Sequence, residues 1–158
     1  MANTQSMCTS FLSELMTATH NFGSSPVRAA STADTFKAAL YLTSATVNAS
    51  TTAYSATNEV SGTGYTAGGV AVTNATPPAN TNTSATAGTG YWTPSASISY
   101  TTVTLSTAFD SVLIYNNTQS NRAVSVHTFG AQTVTAGTFT LTMPSNTTST
   151  ALLRLATT

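Results

Sequence analysis

The sequence predicts an all-β protein: an antiparallel β-sandwich of the jelly-roll or immunoglobulin-like kind, with a short helix near its N-terminus. Three observations predict it. From Thr35 onward apolar residues recur with a period of two, as in Phe36, Ala38, Leu40 and Leu42 alternating with Lys37, Ala39 and Tyr41. Apolar runs of this kind follow one another at roughly 8–12 residues, separated by Gly, Pro and Asn clusters. The 158 residues are 41% hydrophobic, enough for the core of one domain.

The elements follow in order. Residues 10 to 20, SFLSELMTATH, pair Phe11 with Leu15 and Leu12 with Met16 at helical spacing. Ser10 can cap the start and Gly23 can follow the end. A helix of about ten residues is marginal alone, so it must dock, either back on its own domain or as an arm on a neighbouring subunit. Residues 23–34 lack periodicity and read as an extended linker. The expected organisation is an arm over 1–34 and a β-domain over 35–158.

After the strand at Phe36, Val70 and Val72 resume the alternation. Residues 73–90 read as a polar loop without core residues, and a strand opens at Tyr91-Trp92. The apolar face then jumps from Ile98 and Tyr100 to Val103 and Leu105, predicting a bulge or tight turn at Thr101-Thr102. The run Val112-Leu113-Ile114-Tyr115 predicts a strand covered on both faces. Val124 and Val126 begin the next strand, followed by Val134. Ala136-Gly137 reads as a short turn into Phe139, Leu141 and Met143, with Pro144 as the stop and Leu153 and Leu155 in a closing strand. The expected core comprises Phe36, Leu40, Val112, Ile114, Val124, Val126, Phe139 and Leu141.

The segment NEVSGTGYTAGG, residues 58–69, raises a functional question, because Gly62-x-Gly64-x-x-Ala67 matches the looser dinucleotide fingerprint. That fingerprint needs a helix N-terminus behind it to hold a pyrophosphate. Here Gly69 is followed by Val-Ala-Val-Thr, a β pattern, and no Lys follows as a phosphate-binding loop requires. The cluster therefore reads as a structural bend: Gly62, Gly64, Gly68 and Gly69 supply positive φ and close packing under Tyr65, and Glu59 accepts backbone N–H bonds.

Charge bounds the partners. Only 5% of residues are charged, against about 25% in an average soluble domain, and four basic and four acidic side chains cancel. Arg28, Lys37, Arg122 and Arg154 are scattered singly, so nucleic acid is not an expected partner. No apolar stretch of about 18 residues is present, so no membrane is expected either. A neutral surface of Thr, Ser and Asn favours association. Cys8 is alone, which excludes an intrachain disulfide, and residues 1–10 do not read as a signal peptide.

Chemistry is sparse. His20 and His127 stand far apart with one cysteine, a weak start for a metal site. Glu14, Asp34, Glu59 and Asp110 lack paired spacing for acid–base work. His127 shares a strand face with Ser125 and Phe129, but no G-x-S-x-G elbow occurs. The expectation is no enzyme, no cofactor and no metal. Tyr91 and Trp92 are candidate contact residues, because exposed aromatics can stack on sugars or anchor interfaces. The alternative reading is that Trp92 fills the core.

The run DTFKAALYLTSATVNASTTAYSATNEVSGTGYTAGG, residues 34–69, resembles a family of small virion proteins from the structural-gene blocks of tailed bacteriophages. The helix ending in His20-Asn21-Phe22, the strand at Tyr91-Trp92-Thr93, LIYNN at 113–117 and FTLTMP at 139–144 are similar as well. Members carry acidic residues before the tryptophan, where this chain has SATAGTGYW. The resemblance implies a non-enzymatic particle component, of the head-decoration or minor virion type. The expectation is a capsid decoration or cement protein, assembled in the host cytoplasm and bound to the major capsid protein or other virion proteins. Self-association, as a trimer for instance, fits the same reading, with Phe11, Leu12, Leu15, Met16, Phe22, Tyr91 and Trp92 as interface residues. The alternative is a tail or head-fibre module that binds host-surface glycans through Tyr91, Trp92 and the 73–90 loop.

Overall fold

The computed structural model describes residues 3–8, 11, 15, 19–22, 33–76, 78–81 and 88–156. The chain is all-β, with two antiparallel sheets. The strands are β1 (Ser6–Met7), β2 (Phe36–Leu42), β3 (Val70–Val72), β4 (Ala79–Asn80), β5 (Thr89–Trp92), β6 (Ile98–Asn116), β7 (Arg122–Leu141) and β8 (Leu153–Ala156). The larger sheet runs β1-β7-β6-β2-β3 and the smaller β4-β5-β8. Trp92 of β5 and Leu153 of β8 join the core formed by the inward faces of β2, β6 and β7, so both sheets close on one apolar interior.

The continuous apolar run predicted a doubly covered strand, and every residue from Ser111 to Asn116 is buried. Phe36, Leu40, Val112, Ile114, Val124 and Val126 are all core. Phe139 and Leu141 are half-buried and pack against that core.

Two expectations about β6 and β7 are corrected. The apolar segments of residues 98–116 belong to one 19-residue strand, and those of 122–141 to one of 20 residues. Ala136-Gly137 is not a turn. Ala136 has φ 47° inside β7, as Thr102 has φ 55° inside β6, and the ladder shifts on either side of Val103 and Gly137. The register Tyr100↔Phe139 recurs unchanged at Ser111↔Thr128, so the irregularities on the two strands compensate. A bulge keeps pairing while bending the strand, which is why a sequence that reads as a turn stays in the sheet.

The bend is sharp. Ten residues of straight strand span about 33 Å, yet the Phe129 and Phe139 rings lie 5.1 Å apart, both against Phe109. The β6–β7 ribbon thus folds over itself near Leu105↔Val134. Its far half crosses β2, where the Tyr100 hydroxyl donates to the Ala38 carbonyl at 2.8 Å.

The expected polar loop over 73–90 also contains structure, because β4 pairs with β5 through Ala79↔Tyr91 and Asn80↔Gly90. Of the helix expected over 10–20, Phe11 and Leu15 have helical backbone, and most of the remainder lies outside the described residues.

Candidate functional site

The glycine segment packs as a wedge between β2 and β6. Gly64, Gly68 and Gly69 have φ of 79°, 86° and 72°. A Cβ on Gly69 would collide with the Ala38 carbonyl oxygen, and one on Gly62 or Gly64 with the carbonyls of Thr104 or Thr102. The loop pairs with the bulge through Thr104 N–H donating to Thr63 O at 2.9 Å. Glu59 sits behind it. Its Oε1 accepts from the Tyr65 hydroxyl at 2.8 Å and from Gly68 N–H at 2.7 Å, and its Oε2 from the Tyr54 hydroxyl at 2.6 Å. The Tyr65 oxygen accepts in turn from Leu40 N–H at 3.0 Å. Burial, with the Glu59 charge nearby, pushes the Tyr115 phenol up to about 12. Burial likewise pushes Tyr41 up to about 12 and raises Tyr54, Tyr65 and Tyr100. The donors here are turned inward on the protein's own carboxylate.

The N-terminal segment is bound to its own domain. Ser6 and Met7 pair with Val126 and Ser125, extending the larger sheet across the boundary expected at residue 34. The Phe22 ring stacks on Phe36 at 4.5 Å and lies 4.7 Å from Trp92. Phe11 packs edge-on against Phe22 at 5.7 Å. Phe11, Phe22 and Trp92 are 1%, 7% and 2% exposed. The Trp92 indole N–H donates to Thr76 O at 3.2 Å. These three proposed contact residues are thus core side chains of their own chain. Leu15 and Tyr91 are half-buried, whereas Leu12 and Met16, with Glu14, lie outside the described residues.

Beside this aromatic cluster is a buried polar knot. The Asn116 amide donates to Asp34 Oδ2 at 2.9 Å and lies 3.0 Å from His20 Nδ1. Asn21 N–H and the Gln119 amide also donate to Asp34, at 2.9 and 3.1 Å. Sequence spacing could not reveal this set, since three chain segments supply it. Its five residues bond to one another, which pins His20, Asn21 and Asp34 to the end of β6.

The remaining candidate is a cleft of about 430 Å³ between β1, β7 and β8, lined by Ser6, Ser125, His127, Thr150, Leu152 and Arg154 among others. Ser125 Oγ lies 2.9 Å from His127 Nε2. Burial lowers His127 to about 4, so it is neutral at pH 7. Such a histidine is a weak base, and Ser125 is 1% exposed. No carboxylate orients the ring among the described residues' hydrogen bonds. The pair is a satisfied buried hydrogen bond rather than an activated nucleophile. No group of three metal-ligating side chains gathers among the described residues, and none of their helices is long and apolar enough to cross a membrane.

No family model, no curated protein and no solved structure matches the chain.

Proposed function

We propose that this chain is a non-enzymatic structural protein of a tailed-phage particle, a decoration or cement protein fixed in many copies to the head shell. The observation that carries the reading is the surface. Among the described residues only Arg122 and Arg154 are exposed charges; Asp34 is buried, and Lys37, Glu59 and Asp110 are half-buried. A face built of short hydroxyls and amides packs against another neutral face without burying unpaired ions, and it offers no repulsion to further copies. The satisfied state of the Glu59, Asp34 and His127 clusters supports the non-enzymatic part of the proposal. The sequence blocks at 34–69, 113–117 and 139–144 supply the phage resemblance.

The partners proposed are the major capsid protein or neighbouring virion proteins, and further copies of the chain. The glycan-binding alternative loses one of its two stacking rings, because Trp92 is buried and bonded to Thr76, and keeps only the half-buried Tyr91.

The test is addition of the purified protein to particles produced without it, followed by reconstruction of the particles. Repeated density on the head shell is the expected result. Density confined to the tail, or no binding at all, overturns the proposal.

A further inference from the structure

The outer edge of β7 is open. β1 covers β7 only at Ser125 and Val126. From Thr128 to Leu141 the strand pairs with β6 on one side and, among the described residues, with no strand on the other. This stretch carries no charge and no proline, two of the devices that keep a free edge from recruiting another strand. Most of it is exposed, including residues 130–133, 135 and 136.

The same stretch is partly symmetric about Val134. Reading outward from that residue, three of the six pairs match, Thr133 with Thr135, Phe129 with Phe139 and Thr128 with Thr140, while Gln132/Ala136, Ala131/Gly137 and Gly130/Thr138 differ. The threonine matches are cheap in a Thr-rich chain. The phenylalanine match is not, since the sequence holds only six phenylalanines. The bend that brings the Phe129 ring to Phe139 falls between these two residues, in the stretch where the β6–β7 ladder is irregular.

We propose that the β7 edge is a twofold interface, in which residues 128–140 pair antiparallel with the same residues of a second copy about an axis at Val134. Antiparallel pairing about such an axis sets Thr133 opposite Thr135 of the partner subunit, and Phe129 opposite Phe139 of the partner subunit. The same patch serves both copies, as an isologous contact requires. Both rings are half-buried in the single chain and already meet Phe109 inside the bend. The pairing adds the partner's two rings to that cluster. A second copy suits this edge better than a foreign strand, because only a second copy makes the symmetry of the sequence useful.

The inference rests on the reading of the chain as a repeated part, and the two fail separately. A monomer that still adds to particles sinks this inference alone, while a dimer that adds to none sinks the other.

The experiment is analytical ultracentrifugation of the full chain and two double variants, with circular dichroism as a folding check. The wild type is expected to be a dimer. Thr133→Lys with Thr135→Lys sets like charges directly opposite each other twice, and should raise the dissociation constant about tenfold or more. Thr133→Lys with Thr135→Glu carries as many new charges at the same positions, but pairs them with opposite sign and should remain dimeric. A monomeric wild type, or a Lys/Lys variant as tightly dimeric as the wild type, overturns the proposal. So does a Lys/Glu variant that dissociates like the Lys/Lys one, since that result excludes the register about Val134.

Discussion

Glu59 shows how much one side chain can organise. Three donors converge on its carboxylate, from Tyr54, Tyr65 and Gly68, and they tie the glycine segment to the tyrosines of the core. Glu59→Ala leaves these donors without an acceptor, at a cost of about 1–3 kcal/mol each where water cannot replace it. A loss of about 3 kcal/mol or more in denaturant unfolding is expected. Glu59→Gln, which retains an acceptor oxygen, should lose clearly less. Equal losses would mean that the charge, not the hydrogen bonds, carries the effect.

His127 makes the second prediction at this scale. Its folded value of about 4 lies below the ordinary 6.5 because of burial. The unfolded chain therefore binds a proton first as the pH falls. The contribution to stability is fully present above pH 6.5 and is lost as the pH falls through 4. Unfolding free energies measured from pH 7 to 3.5 should decline less steeply for His127→Gln than for the wild type. Parallel curves would show that the ring is solvated in the folded protein.

At the scale of elements, the N-terminal segment packs on its own domain, one of the two dockings its sequence allowed. It supplies β1, the buried Cys8 and the rings of Phe11 and Phe22. Deleting residues 1–22 uncovers Phe36 and Trp92 and removes two aromatic core side chains, each worth about 3–5 kcal/mol when truncated. That sum is comparable with the whole stability of an ordinary domain. The truncated chain should therefore not show a cooperative thermal transition at 25 °C or above, whereas Phe22→Ala should unfold cooperatively at reduced temperature. A truncated domain that melts like the full chain would restore the picture of a detachable arm. The glycine segment and the Thr102 and Ala136 bulges form a second such unit, because Gly62, Gly64 and Thr63 all lie against the bulged stretch of β6.

At the scale of the molecule, five of the six tyrosines share one property. Tyr41 and Tyr115 are pushed up to about 12 by burial, and Tyr54, Tyr65 and Tyr100 are raised as well, also by burial first. Unfolded tyrosine ionises near 10. Tyr41 and Tyr115 thus contribute stability that is complete below pH 10 and is lost as the pH rises through 12. Tyr54, Tyr65 and Tyr100, raised in the same direction, also contribute stability that is complete below pH 10 and is lost in the alkaline range. Thermal midpoints should fall steeply between pH 10 and 12, with tyrosinate absorbance appearing together with unfolding. Absorbance that rises well before unfolding would show that these phenols are open to solvent.

The local pattern of apolar residues was enough to read the all-β class, β2 and the buried run at Val112–Tyr115, while β7 ends at Leu141, short of the Met143 expected in that strand. Strand periodicity is a property of near neighbours and survives in the sequence. The bulges were half legible. The phase jump at Thr101-Thr102 marked the one in β6, while Ala136-Gly137 carries the same residue types that make a turn. Whether the chain turns or bulges depends on β6 holding the other side of the ladder. The docked N-terminus and the Asp34–Asn116–His20 knot were out of reach for the same reason. Each joins residues far apart in the chain, and only the folded-over β6–β7 ribbon and the two sheets bring them together. The Ser125–His127 pair, two residues apart on one strand face, was legible from the alternation alone. By itself the sequence determined the strands and the near absence of charge; the tertiary structure decided which aromatic rings are core, where the single carboxylates are satisfied, and which strand edge is left open.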